Sequence, residues 1–115
     1  GLSASVQVFL AHEPPERVRG LLEAERILFD TPTDPDDFLE RLAAVREQGH
    51  AVNLGETSPD EVGVASPVMD HRGEVVATVL LAAPHYRVPD ERIPELADHC
   101  REAARRISRR LGASL

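Results

Sequence analysis

The sequence predicts an α+β domain: helices first, then a small antiparallel sheet, then a closing helix. Three observations carry this. Residues 34–49 read as a fully punctuated helix, opened by Asp34-Pro35 and closed by Gly49. Two β-rich runs follow, Val62 to Met69 and Glu74 to Ala83, joined by a turn at Asp70-His71-Arg72-Gly73. Near the end, Leu96, Cys100, Ala103, Ile107 and Leu111 recur at steps of four, three, four and four, which is a helical stripe.

The elements follow in order. Ser3 is an N-cap type of residue, and Val6, Phe9 and Leu10 stand at helical spacing behind it, so Ser3 to Ala11 is predicted as a first helix that ends before Pro14-Pro15. A second short helix starts at that proline pair, with Val18, Leu21 and Leu22 on one face. Between Glu25 and Thr33, the run Ile27-Leu28-Phe29 reads equally as a short strand or a buried loop. The third helix has Asp34 as N-cap, Pro35 in its first position, and Asp36 and Asp37 against the positive helix end. Its Phe38, Leu42 and Val45 form the i, i+4, i+7 face, and Gly49 suits a left-handed cap. His50 to Leu54 is a short strand. In the next strand Val62, Val64, Ser66 and Val68 share one face, and Gly63, Ala65 and Pro67 share the other. That small face allows a helix or a ligand to approach closely, and Pro67, with no N–H, belongs at an edge or a bulge. Glu74 to Ala83 is apolar at almost every position, which predicts a strand covered on both faces. The last helix begins near Pro94 and closes at Gly112.

Composition narrows the function classes. The 115 residues make one domain. A formal net charge of −7 argues against this segment gripping DNA phosphates itself. Arg105, Arg106, Arg109 and Arg110 are read as solvated cations at a helix end. Three phenylalanines, one tyrosine and no tryptophan leave few platforms for stacking bases. A single cysteine, Cys100, permits no internal disulfide and fits a reducing, cytoplasmic setting. No apolar run approaches the ~20 residues needed to span a bilayer.

Catalytic signals are poor. No serine has a nucleophile-elbow context and no glycine-rich phosphate loop is present. The five histidines form no metal-ligand spacing. Glu56, Asp60 and Glu61 sit in a loop where solvated acids are common, and Cys100 falls on an apolar stripe as an inert thiol. No catalytic residue, metal ligand or cofactor is therefore assigned. What remains is a small-molecule pocket between the small sheet face and the start of the first helix. There the first-turn N–H groups of Ala4 and Ser5 are available to an anion, unless water or Ser3 takes them.

The run ERLAAVREQGHAVNLGE, then VASPVMDHRGEVVATVLLAAPHYR, then EAARRISRRLG resembles the C-terminal half of the IclR-type transcriptional regulators. The family's usual forms are a "vR..GyA.d.gE" helix end and strand, "siAaPV.d..G.vvaalsvsgp..R" and "aA..is..lG". Upstream, TPTDPDDFLERL resembles "T.tdpdaLl.eL", and SASVQVFLAHEPPERVRGLL resembles "aTA.GkalLA.lp.eevr.ll". The likeness covers nearly the whole chain through the order and spacing of its motifs. It implies a GAF-like effector-binding domain, an antiparallel sheet flanked by helices, that lacks its opening strands. It also implies a separate N-terminal winged helix-turn-helix, absent from this chain, through which DNA would be bound. The implied partners are a small organic effector and further copies of the chain, as a homodimer or homotetramer, with no membrane.

The effector positions that the resemblance implies are Ala4 and Ser5 at the helix start, Asn53 on the short strand, Gly63 early in the next strand, and Leu80 and Ala82 on the last. The family carries hydroxyls at the last two positions, and here both are apolar. Val6 stands where the family has a glycine. The resemblance therefore implies either a more apolar effector than a short keto acid, or none, in which case the domain is a structural dimerisation module with a degenerate pocket. A small enzyme would require convergent polar groups, and the sequence offers none at a recognised spacing.

Overall fold

The computed structural model describes residues 2–25, 27 and 33–115. Helices α1 (Ala4–Ala11), α2 (Pro15–Glu23) and α3 (Pro35–Gln48) precede strands β1 (Ala51–Leu54), β2 (Glu61–Met69) and β3 (Val75–Pro84). Two single 3₁₀ turns, His85–Arg87 and Asp90–Arg92, lead into α4 (Ile93–Arg110). The sheet is antiparallel in the order β1-β2-β3. The α+β architecture matches the expectation. Leu28 and Phe29, expected in a strand or buried loop, lie outside the described residues, while Ile27 packs against the helical core.

Local chemistry sets the helix ends. The Ser3 hydroxyl accepts from the Val6 amide at 3.3 Å, and the Asp34 carboxylate accepts from the Asp36 amide at 2.7 Å. Gly49 closes α3 at φ 83°, a conformation that L side chains rarely adopt.

The sheet divides two cores. On its small face, Ala51 and Ala65 join Ala4, Val8 and Ala11 of α1, Val18 of α2, and Phe38, Leu42 and Val45 of α3. On its other face, Val62 and Val64 pack against Ala97 and Cys100 of α4. Alanine against alanine brings α1 close to the strands, and this corrects the reading of its apolar face. Ala4, Gln7, Val8 and Ala11 are buried, while Val6 and Phe9 are each 42% exposed. The same substitution of small for large applies to α4. Its buried stripe is Ala97, Cys100, Ala104 and Ser108, and the expected Ile107 and Leu111 project outward. In both helices the sheet selects whichever side lets the backbones approach, not the side with the largest residues.

The expectation for the last strand is also corrected. No residue of β3 is buried, and Val76 and Leu80 are 48% and 50% exposed. The reason is topological: among the described residues β3 pairs in the sheet with β2 alone and forms its rim. Its apolar sequence is suited to a covered strand, and this chain covers it only in part.

Two devices finish β2. β1 begins opposite Ala65, so among the described residues β2 runs on from Ser66 to Met69 with no strand along that edge. Pro67 has no N–H to lose there, and the Met69 amide donates to Ser108 Oγ of α4 at 2.9 Å, while that hydroxyl donates to Ala104 O at 2.7 Å. The β2–β3 turn is pinned by Asp70, which accepts from the Arg72 amide at 2.8 Å and from the Arg72 guanidinium at 2.8 and 2.9 Å. That guanidinium, with the Arg72 and Glu74 amides, holds the Asp70 carboxyl down at about 2. A carboxyl held below its unfolded value stabilises the fold above that value, and the contribution fades as pH falls through the folded one. An NMR titration of Asp70 is expected to give a midpoint near 2, rising when Arg72 is replaced by alanine. A midpoint at the ordinary carboxylate value in the unsubstituted chain would show the clamp is not formed in solution.

Candidate functional site

The register places the residues singled out from the sequence in neighbouring rows. Asn53, Gly63 and Ala82 are cross-strand partners, and Ala51, Ala65 and Leu80 form the adjacent row on the same face. Leu80 leans across toward Gly63: a Cβ built on that glycine would meet Leu80 Cδ1 at 3.7 Å and the Asn53 Cβ at 3.9 Å. The start of α1 lies over this face, because the Asn53 carboxamide, on the floor, donates to the carbonyl of Leu2 at 3.0 Å. Ala4, Ser5, Asn53, Gly63, Leu80 and Ala82 thus belong to one region of the fold.

The helix start is held from both flanks. Toward β1, Gln7 Nε2 and Asn53 Nδ2 both donate to Leu2 O, at 2.9 and 3.0 Å. Asn53 also donates to Thr57 Oγ1 at 2.7 Å and accepts from the Glu56 amide at 2.9 Å, so its carboxamide ties together the helix start and the β1–β2 loop. Arg41 of α3 braces that loop through Glu56 at 2.6 Å. Toward β3, Ser5 Oγ lies 2.8 Å from Thr78 Oγ1. Residues 5 and 7 point to opposite sides of a helix, and the two clasps therefore straddle α1.

The polar inventory of the site differs from the sequence reading in two ways. Ser3 Oγ is committed to the Val6 amide and Ser3 O to the Gln7 amide, so neither serves the N–H groups of Ala4 and Ser5, which precede the first intrahelical donor. Second, the hydroxyl on this face of β3 is Thr78, two residues before Leu80. The sequence reading missed it, although it is the lone hydroxyl in the run VVATVLLAAP. Gln7 was missed as well. A buried glutamine on a helix that otherwise turns alanine and valine inward carries no signal until the sheet beneath it is known.

The hollows among the described residues lie elsewhere in the fold. One of about 290 Å³ lies between the end of α3 and α4, lined by Gln48, Ser66, Arg101 and Arg105 among others. Its Arg101 is already engaged by Asp98 and by His50 Nδ1 at 2.6 Å. Burial and the neighbouring Arg101 lower the His50 pKa, which favours the neutral ring. Cys100 is enclosed, its thiol directed at Val79 O and Val64 O at 3.3 and 3.5 Å, and burial raises its pKa. Among the described residues, no group of three or more His, Cys, Asp or Glu is placed to hold a metal ion. None of the helices among them is long and apolar enough to cross a membrane.

Comparison with known proteins gives a consistent picture. Residues 2–109 match the family described as bacterial transcriptional regulator IclR C-terminal. The HTH-type transcriptional regulator BhcR of Paracoccus denitrificans is 32% identical over 105 residues, covering 89% of this chain and 38% of that protein. KipR of Bacillus subtilis, also an HTH-type transcriptional regulator, is 29% identical over 108 residues, covering 94% and 43%. Among solved structures, a transcriptional regulator of the IclR family superposes with a TM-score of 0.90 at 48% identity, covering 97% of this chain and 66% of that one. The C-terminal domain of the Escherichia coli regulator KdgR superposes with a TM-score of 0.78 at 32% identity, covering 96% and 69%. The chain spans about two fifths of the length of these curated relatives.

Proposed function

The chain belongs to the IclR family of bacterial transcriptional regulators, as part of its C-terminal domain, and from that premise we propose that it senses a small organic effector and passes the signal on through self-association. The observation that supports this best is the convergence of Asn53, Gly63, Leu80 and Ala82 near the first turn of α1. In this reading the amides of Ala4 and Ser5 face the polar end of the ligand and the strand residues face the rest. DNA contact is supplied elsewhere in the regulator, by an N-terminal winged helix-turn-helix. The relatives are named HTH-type regulators, and this segment, with a net charge of −7, is ill suited to phosphate contacts. The role calls for no catalysis, and the site of action is the cytoplasm.

A thermal-shift screen of the chain against small organic acids tests the sensing role, since a ligand that binds only the folded state raises the melting point by mass action. A specific observation favours a second reading. The polar groups of Asn53 are committed inside the protein, and Leu80 and Ala82 offer no hydroxyl. On that basis the domain serves assembly alone, and a screen in which no acid moves the melting point supports it.

Self-association is expected through β3. Among the described residues no strand lies beside its outer edge in the sheet, and an apolar, half-exposed rim strand is a template for pairing. Light scattering coupled to chromatography should report a dimer or larger species at high concentration, and Val76→Lys should shift it toward monomer. A clean monomer for the unsubstituted chain at high concentration would remove this part of the proposal.

A further inference from the structure

We propose that the hollow between the end of α3 and α4 is a second ligand site, one that takes a small zwitterion of the α-amino acid type. It is separate from the effector site and does not rest on that reading.

The hollow, of about 290 Å³, opens along the stretch of β2 that has no β1 beside it. A further strand is an unsuitable occupant of that edge. Pro67 has no N–H to offer, and the Met69 amide is already taken by Ser108 Oγ. A small polar molecule is better suited, because a buried group on the lining lacks a partner. Ser66 is 1% exposed, and its Oγ makes no hydrogen bond. The neighbouring Cys100 sulfur is a weak acceptor, and its own hydrogen is directed at the carbonyls of Val64 and Val79. Ser108, also on the lining, is satisfied both ways: it accepts from the Met69 amide and donates to Ala104 O. An enclosed hydroxyl without a partner destabilises the fold, and a ligand atom that hydrogen-bonds to it removes that penalty.

The walls then set the charge of the ligand. One is the carbonyl end of α3, with the Glu47 carboxylate. The other is α4, with the Arg105 guanidinium. Among the described residues neither Glu47 nor Arg105 is held in an ion pair, whereas Arg101 on the same lining is engaged by Asp98 and His50. A simple anion meets the acidic wall, and a simple cation meets the free guanidinium. A molecule with both charges satisfies each wall, with its ammonium at the end of α3 and its carboxylate on Arg105. Met69 and Ala104 on the lining suit an apolar side chain.

The test is calorimetry and amide NMR on the chain with four probes: leucine, isocaproate, isopentylamine and glycerol. Isocaproate is leucine without its ammonium, and isopentylamine is leucine without its carboxylate. Leucine is expected to bind and to shift the amides of Gly49, Ser66 and Arg105. The other three should bind there about ten-fold more weakly, or not at all. Arg105→Ala should weaken leucine about ten-fold or more, and Glu47→Gln should weaken it as well. Both residues are exposed, so neither substitution disturbs the core. Ser66→Ala should weaken leucine while leaving the unliganded melting point unchanged or raised, because no hydrogen bond is lost. A lower unliganded melting point would show that the hydroxyl already has a partner, and would overturn the inference. So would leucine that does not bind, that binds no tighter than glycerol or the single-charge probes, or that is indifferent to Arg105→Ala. Shifts confined to Asn53 and Gly63 would place leucine in the effector site and overturn the second site alone.

Discussion

Replacing Phe38 by alanine is expected to remove about 3–5 kcal/mol of folding stability, the range for deleting a large aromatic side chain from a packed core. Phe38 is 4% exposed and lies in the cluster formed by α1, α2, α3 and the small face of the sheet. That cluster also holds α1 over the candidate site, so the substitution loosens the site and the core together. A single domain has about 5–15 kcal/mol in total, and a loss of this size takes a large share of it. The measurement is urea unfolding followed by far-UV circular dichroism, with Leu39→Ala as the comparison, since Leu39 is only partly buried against the same cluster. Leu39→Ala should have the smaller effect. Equal effects, or a loss below about 1 kcal/mol for Phe38, would mean that α3 is not packed as described.

The element that carries Phe38 was also the most legible part of the sequence. Its cap, its first-turn proline, its Phe38-Leu42-Val45 face and its closing glycine all act over a few residues, and all are found in place. The strands were legible for the same reason, as was the small face of β2, whose Gly63 and Ala65 do lie on the α1 side. What the sequence did not disclose depends on contacts between distant segments. Apolar spacing alone chose Val6 and Phe9 for the inner face of α1 and Ile107 and Leu111 for that of α4. A close approach between backbones chose Ala4, Ala11, Ala97 and Ala104 instead. The apolar run of β3 reads as a strand covered on both sides, because composition cannot tell a central strand from a rim strand. For the site, the positions taken from the family resemblance do fall together, since register follows from the turn and the pleat. Thr78 was overlooked because its hydrogen-bond partner, Ser5, lies 73 residues away.

Asn53→Ala is expected to destabilise the fold by about 2–3 kcal/mol, in keeping with the loss of buried hydrogen bonds whose partners are left poorly satisfied. At 6% exposure the side chain is almost wholly enclosed, and it makes three bonds: to Leu2 O, to Thr57 Oγ1 and from the Glu56 amide. Leu2 O keeps Gln7 Nε2 as a donor, and Thr57 is exposed enough to turn to water, which sets the ceiling on the loss. Asn53→Asp separates the two halves of this network. The aspartate still accepts from the Glu56 amide, but it faces Leu2 O and Thr57 with an anion where a donor stood. Burial and that opposed carbonyl raise its folded pKa above the unfolded value. The folded state then binds the proton more tightly, so the variant should be weakest at neutral pH and recover as pH falls through the raised value. Thermal unfolding of both variants across pH reads this out directly, with the unsubstituted chain as reference. If Asn53 serves only to contact an effector, both variants will melt like the reference in the absence of ligand and differ from it only in binding. If it is the tie that positions the helix start, Asn53→Ala will lose stability at every pH, and Asn53→Asp will lose most where the carboxylate is charged. The hydrogen bonds require the second outcome, which makes any ligand selectivity at Asn53 indirect, exerted through the placement of Ala4 and Ser5.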